Sequence, residues 1–459
     1  MLKIASRPPG AHLTVLDSEF RQIIDTVGEV RQRVPVGVYQ VTAQIGRHSA
    51  TRIVFVPPGI QAEPTILTVE FTPPSPVEGS PDPHGHGKLV NEQSVNLAQD
   101  AGPNSGLLLV LRHQDDTTFH PDASGLELLT QRLDRLTPRL DWTDEETITQ
   151  AGIRLPAGGY VLRSTGGPQN ADASKDQTLW LSAGWQTVVF IPWSNDGPEV
   201  EALSIHMARL DAKGWEPDEP SNIVAELALA DLRTGTPTAT ATMLEDKDIA
   251  DSRNPLAQVF AAHALVARAE SLSTIRPDIL PALAALAELV GEHPDLTALV
   301  ALHANQEGLK SWISVLWPPM LTASYRRCLL PVDRDESTVL PAGSPAEQVA
   351  AFADYTSPWL RWTSSPEIAV FPPAESARRT RHERNVPAAA VTRVLAYLRE
   401  VADFEGISIT EAAAAIGDFE LSRRLRYPMT LVNAVLRSAV TDEPHSPALS
   451  ISRHRRQRS

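Results

Sequence analysis

A chain of 459 residues, 42% of them apolar, is long enough for more than one hydrophobic core. Its net charge of −15 argues against general nucleic-acid affinity, and its one cysteine excludes an intramolecular disulfide. No apolar run approaches the length of a membrane span, and MLKIASRPPGAHLTV lacks the unbroken apolar core of a signal peptide. The expectation is a cytoplasmic protein without membrane contact.

Residues 1–71 read as a β-unit. Val34-Pro-Val-Gly-Val-Tyr39-Gln-Val41 is a turn followed by a strand, and residues 52–57 form a second apolar strand ending in proline. Residues 72–105, with PPSPVEGSPDPHGHGK at their centre, read as a Pro/Gly-rich linker. Residues 106–112 are a buried strand by length and flanks, whereas 126–136 fit a short helix or a strand equally well. Three strands follow between Leu155 and Trp193. In the last of them Trp185, Thr187, Val189 and Ile191 share one face, and Gln186, Val188 and Phe190 the other. Both faces are largely apolar, so this strand is expected to be central, with packing on each side. Leu155-Pro-Ala-Gly-Gly-Tyr160-Val-Leu162 aligns without gaps on 34–41, and again a strand ending in proline follows, at 188–192. That pattern reads as a duplicated unit or as turn-and-strand grammar used twice.

Helical periodicity begins near Ser221. Asn254-Pro255 is a helix start, with a side-chain cap and a proline set for the first turn. Leu256, Val259, Phe260, His263, Val266 and Ala267 then share one face. Residues 277–290 form a helix stopped by Gly291, and Pro294 opens another that carries His303. Trp312, Trp317, Trp359 and Trp362 lie on loop-like segments, and some are expected to dock the helices on the Trp185 strand. Beyond a polar linker at 366–386, helices are expected at 387–401, 410–416 and 430–440, before a basic tail over 441–459.

Leu2-Lys-Ile-Ala-Ser-Arg-Pro-Pro-Gly-Ala-His-Leu-Thr-Val-Leu16, followed by the 34–41 motif, resembles a PEGA or carboxypeptidase-regulatory-like domain. The resemblance covers residues 1–60 and implies a small β-sandwich acting as a non-catalytic spacer or interaction module. A weaker resemblance covers residues 150–365, through Gly184-Trp-Gln-Thr-Val-Val-Phe, Asn254-Pro-Leu-Ala, His293-Pro-Asp-Leu-Thr-Ala-Leu and Trp317-Pro-Pro-Met-Leu. It is to bacterial proteins associated with caspase-like peptidases in conflict systems, and it implies no catalytic residues.

Chemistry-bearing patterns are sparse. His84-Gly-His86 brings two imidazoles together, but only Asp82 is near as a third ligand, so a solvated loop is expected rather than a metal site. His263 and His303 could form a functional pair or be core histidines with satisfied rings. Cys328 falls within an expected helix at 320–330, away from a strand end, and His84 lies in the linker, so the two make a poor nucleophile–base pair. No phosphate loop, dinucleotide fingerprint or nucleophile elbow is present. Residues 407–417 resemble the first helix and turn of a helix-turn-helix, and Arg423, Arg424 and Arg426 stand where a recognition helix would begin, although Pro428 interrupts it. These arginines, with Arg453, Arg455, Arg456 and Arg458 of the tail, are the candidate contacts to nucleic acid or to an acidic partner.

The expectation is an α+β multidomain protein. Two β-sandwich-like units (1–71 and 106–215) precede an α-helical domain (216–365) and a small C-terminal helical module (387–440). No catalytic, cofactor-binding or metal-binding residue is assigned. The expected function is that of a non-enzymatic adaptor or scaffold for a protein partner, a caspase-like peptidase in bacterial defence being one candidate. The alternative is a DNA-binding regulator using residues 387–440.

Overall fold

The computed structural model describes residues 1–7, 10–46, 48–58, 64–80, 82, 84–113, 123–145, 148–165, 174–194, 197–211, 213–234, 253–268, 279–306, 315–329, 340, 344–363, 388–417, 421, 432 and 436. The chain mixes sheets and helices and divides into two compact units, Met1–Arg381 and His382–Ser459. Among the described residues no helix is long and apolar enough to cross a membrane.

The first unit opens with strands β1 (Leu2–Arg7), β2 (His12–Leu16), β3 (Gln22–Val27), β4 (Val30–Gln32), β5 (Gly37–Ile45), β6 (His48–Val56) and β7 (Thr65–Thr68). They form two sheets, ordered β4-β1-β7 and β3-β2-β5-β6. Alternation turns Leu13 and Val15 of β2 and Tyr39, Val41, Ala43 and Ile45 of β5 inward, into one buried cluster with Leu2, Ile4 and Leu67 of the other sheet. Gly46, at positive φ, sits in the tight β5–β6 turn.

Strands β8 (Gly106–His113), β9 (Leu126–Leu129), β10 (Thr143–Glu145), β11 (Ile148–Arg154), β12 (Gly158–Ser164), β13 (Lys175–Leu181) and β14 (Trp185–Ser194) repeat this plan. β1 pairs antiparallel with β4 and parallel with β7, and β8 pairs antiparallel with β11 and parallel with β14. β5 lies between β2 and β6, as β12 lies between β9 and β13. The duplication therefore extends beyond the aligned octapeptides to the strand order. It also corrects one expected equivalence. The partner of Tyr39 is Val54 on β6, and that of Tyr160 is Leu179 on β13, so β6 matches β13. The strand holding Val188 to Pro192 is β14, which matches β7 instead. The segment left open between helix and strand contributes β9, a strand.

The segment expected to be a linker over 72–105 contains helix α1 (His86–Gln99). Its apolar residues are few, which hid it. It is held by tertiary hydrogen bonds: the Asp82 carboxylate accepts from the His86 and Gly87 N–H groups, and Arg154 of β11 donates to the Leu97, Ala98 and Asp100 carbonyls. Ser94 of α1 and Gln186 of β14 exchange two hydrogen bonds, at 2.8 and 2.9 Å. β14 is indeed buried along both faces. Trp185, Val189 and Ile191 join the core with β12 and β13, while Val188 and Phe190 join the core that contains α1 and the first repeat. β15 (Gly197–Pro198) and β16 (Ser204–Arg209) also pair with β14.

Helices α2 (Pro220–Thr234), α3 (Pro255–Arg268), α4 (Ile279–Val290), α5 (Pro294–Gln306), α6 (Thr322–Cys328) and α7 (Pro345–Gln348) follow. α3 starts at Pro255 as expected, but the Asn254 side chain is recruited elsewhere: its Oδ1 accepts from the Met207 N–H on β16. Gly291, at positive φ, ends α4. Trp359 buries its ring against Phe260 in the Trp185 core and donates to the Leu203 carbonyl at 2.7 Å. Trp317 instead lies against Gly159 on β12. Trp362 belongs to β18 (Arg361–Thr363), which pairs with β13 and with β17 (Ala353–Asp354). Trp312 lies outside the described residues.

The second unit contains α8 (Ala388–Glu405) and α9 (Ile409–Ile416). α9 begins with a reciprocal cap, Ser408 accepting from Glu411 N–H and Glu411 accepting from Ser408 N–H, and ends at Gly417 with positive φ. Val394, Leu398 and Ala412 are buried in this unit, whereas Phe404 is exposed.

Candidate functional site

Among the described residues, two clusters centred on buried ionisable side chains stand out. The first joins α3, α5 and α6. Asp295, directly after the proline that starts α5, faces the extended segment that leads into α6. Its carboxylate accepts from Met320 and Leu321 N–H, each at 2.9 Å, and from the Ser324 hydroxyl at 2.5 Å. His263 Nε2 lies 3.2 Å from the Asp295 carbonyl and 2.7 Å from Ser324 Oγ. A carbonyl only accepts, so Nε2 carries the hydrogen and the imidazole donates.

That arrangement contains a serine, a histidine and an aspartate, yet its polarity is the reverse of an activated serine. There the imidazole must accept the hydroxyl hydrogen and the carboxylate must hold the far ring nitrogen. Here the serine donates to the carboxylate, and among the described residues His263 Nδ1 has no hydrogen-bond partner. Burial pushes His263 down to about 3, with Arg327 adding to the effect, and burial raises Asp295 to about 6 against the hydrogen bonds it accepts. His293, whose Nδ1 lies 3.7 Å from Asp295 Oδ2 and whose ring nitrogens make no hydrogen bond among the described residues, is pushed down to about 3 by burial. Cys328 donates to the Ser324 carbonyl at 3.3 Å, and burial pushes its thiol up, so it is no thiolate. The side chain of His303 lies outside the described residues, so the pair His263–His303 is not described. His263 and Cys328 stand out in the sequence whereas Asp295 and Ser324 do not; the one local mark of Asp295 is its place directly after a helix-opening proline.

The second cluster centres on Glu226 of α2. It accepts from Ser75 at 2.5 Å, Ser204 at 2.9 Å and His206 Nε2 at 2.8 Å. Asn254 donates to His206 Nδ1 and to Asn222, both at 3.0 Å. Burial alone would raise the Glu226 carboxyl, but the His206 and serine hydrogen bonds outweigh it and hold it below the usual range. Beside this network Arg112 donates to His86 Nδ1 at 3.0 Å and to the Pro74 carbonyl at 2.9 Å. His84 stacks on His86. The expected solvated loop is therefore corrected at His86, which opens α1, is buried, and is pushed down to about 4 by burial and by the Arg112 charge. Asp82 is occupied by α1 and His86 Nδ1 by Arg112, so neither is free to ligate. Among the described residues no group of three His, Cys, Asp or Glu is placed to hold a metal ion. His84 and Cys328 belong to these two separate clusters.

Arg423, Arg424, Arg426, Arg453, Arg455, Arg456 and Arg458 all lie outside the described residues.

The remaining feature is on the surface. On the outer face of β3-β2-β5-β6, Val38 stands opposite Phe55, and Gln40 opposite Ile53. Ile53 and Phe55 are 61% and 60% exposed, and Val38 is exposed as well. Phe20, in the β2–β3 turn, is 74% exposed at φ 60, a costly backbone setting for a bulky residue. The register makes Phe55 equivalent to Trp180, Ile53 to Thr178, and Val38 to Gly159. In the second repeat those positions are less open: Thr178 and its neighbour Val161 are fully buried, Trp180 is half-buried, and Trp317 lies on Gly159. One copy of the face is packed and the other is open. No protein-family model matches this chain, and no curated protein matches it either.

Proposed function

We propose that the protein is a non-enzymatic adaptor or scaffold that docks a protein partner on the open sheet face of its first repeat. In this reading the two repeats are β-sandwich modules of the PEGA or carboxypeptidase-regulatory kind. The second is committed to the helices and the first is left for a partner, a caspase-like peptidase of a bacterial defence system being one candidate. The observation that carries it is the contrast between exposed Ile53 and Phe55 and their equivalents, fully buried Thr178 and half-buried Trp180. An apolar patch left in water costs solubility and marks an interaction surface. Both buried polar clusters support the same reading, since their hydrogen bonds lock helices and strands together without presenting a reactive group to solvent.

The test is co-purification from the native host with wild type and with the Ile53→Asp, Phe55→Asp variant. A partner retained by the first and absent with the second supports docking on this face; equal retention overturns it. Salt-dependent retention on DNA, lost on changing Arg423 and Arg424 to Ala, would favour the regulator reading. Turnover in a broad hydrolase screen would overturn both.

A further inference from the structure

The two repeats differ at a second place, the edge of the sheet. In the second repeat β13 does not end its sheet: β18 adds to it antiparallel, with Lys175 opposite Thr363, Asp176 opposite Trp362 and Gln177 opposite Arg361. The same register places Ala50, Thr51 and Arg52 of β6 at the equivalent positions. Among the described residues β6 pairs with β5 alone, and β6 stands last in the order β3-β2-β5-β6. Such an edge presents unpaired N–H and C=O groups, and soluble proteins usually blunt it with proline, inward charge or a covering segment. β6 runs nine residues without proline; Arg52 is a charge on its inward parity, and further along, the side chains it adds to the exposed outer face are Ile53 and Phe55.

We infer that β6 is a strand acceptor: an extended segment of a protein partner, apolar at alternate positions, adds antiparallel to β6 and lays its apolar side chains beside Ile53 and Phe55. This rests on the docking reading above and names its mode. Main-chain hydrogen bonds supply the pairing and alternate side chains the selectivity. The internal precedent fixes the orientation, because β18 enters β13 antiparallel with Trp362 directly opposite Asp176. It also sets a difference in ligand shape. Gly159 leaves room against the sheet for the Trp317 indole, whereas Val38 fills that slot in the first repeat. The incoming side chain therefore rests over Ile53 and Phe55, at the edge, and not at the centre of the face.

A library of random 12-residue peptides displayed on phage is selected on the full-length protein, with the Ile53→Asp, Phe55→Asp variant and a milder Phe55→Lys variant as counter-selections. Both variants must show the wild-type circular dichroism and unfolding midpoint. The expected result is enrichment of peptides alternating apolar and polar residues. These should bind wild type at least tenfold more tightly than either variant and slow amide exchange in β6. Binding that depends on Phe55 but leaves β6 exchange unchanged overturns strand addition and leaves the docking face standing. Enrichment that is equal on wild type and variants, or no enrichment at all, overturns strand addition. If light scattering instead shows a dimer that Phe55→Lys dissociates, a second copy of the chain occupies the edge and the partner segment is ruled out.

Discussion

Tyr160 donates its hydroxyl hydrogen to the carbonyl of Pro156, four residues earlier, across 2.8 Å. Tyr39 makes the same bond to Pro35 at the same distance. In each repeat this bond closes the turn that leads into the central strand of its sheet, with the phenol ring buried. The P-x-G-x-Y spelling is thus a local device, a proline carbonyl held over the strand by the tyrosine that follows.

Tyr160→Phe and Tyr39→Phe each remove one such bond and leave the proline carbonyl without its donor. Each is expected to lower stability by about 1 kcal/mol. Urea unfolding midpoints of the two variants, compared with wild type at constant slope, measure it. A variant matching wild type would show that water replaces the hydroxyl there.

Gly159 has a different role from its neighbours. A Cβ at this position would overlap the Trp317 indole. Gly159→Val, which installs the residue of the first repeat, is expected to cost about 1–3 kcal/mol by overpacking and to shift tryptophan emission to the red as Trp317 is displaced. The reciprocal Val38→Gly should leave the emission unchanged.

Glu226 joins three parts of the chain, Ser75 before α1, Ser204 and His206 on β16, and its own helix α2. Glu226→Ala leaves the two hydroxyls and an imidazole buried without their acceptor and is expected to cost about 3–5 kcal/mol. A His206→Ala, Glu226→Ala double-mutant cycle, read by thermal unfolding, should return a coupling well above the noise; additive losses would refute the network.

Acid should unfold the protein earlier than carboxylate titration predicts. His86, His263 and His293 are held by burial at about 4, 3 and 3, below the ordinary 6.5. Below pH 6.5 the unfolded chain takes up these protons first, so the stability they contribute is complete above pH 6.5 and is lost as the pH falls toward 3–4. Each pH unit over which one of them stays neutral in the fold removes about 1.4 kcal/mol. Asp295, raised to about 6 from 3.8, acts in the opposite direction: its contribution is present below 3.8 and lost as the pH rises through 6. Three groups outweigh one, so the unfolding midpoint should fall between pH 6.5 and 4. His293→Leu removes a buried ring whose nitrogens make no hydrogen bond among the described residues, and should leave stability at pH 7 within about 1 kcal/mol of wild type while flattening the acid limb.

The central position of β14 was legible because its side chains are apolar at both parities, from Trp185 through Ile191, and only a strand covered on both sides keeps such a pattern. The α3 start and the α4 stop were legible for equally local reasons, at Asn254-Pro255 and Gly291. α1 was not, since HGKLVNEQSVNLAQ has too few apolar residues to declare a face. Its ends are closed by Asp82 and by Arg154, which lies 55 positions beyond Gln99 in the sequence.

The turns, the helix punctuation and the doubled P-x-G-x-Y unit can be read from the order of residues, because each depends on backbone preferences and hydrogen bonds within a few residues. Which strands correspond between the repeats, which buried polar groups meet, and which sheet face stays open emerge from the folded chain. Those outcomes depend on pairing between residues far apart in the chain: Lys175 with Thr363 at one sheet edge, His263 with Ser324 in the core, and Ile53 and Phe55 left with no described strand beyond them. No local pattern encodes a partner more than a hundred residues away, so the open edge of β6 becomes visible only when the second repeat shows what closes it.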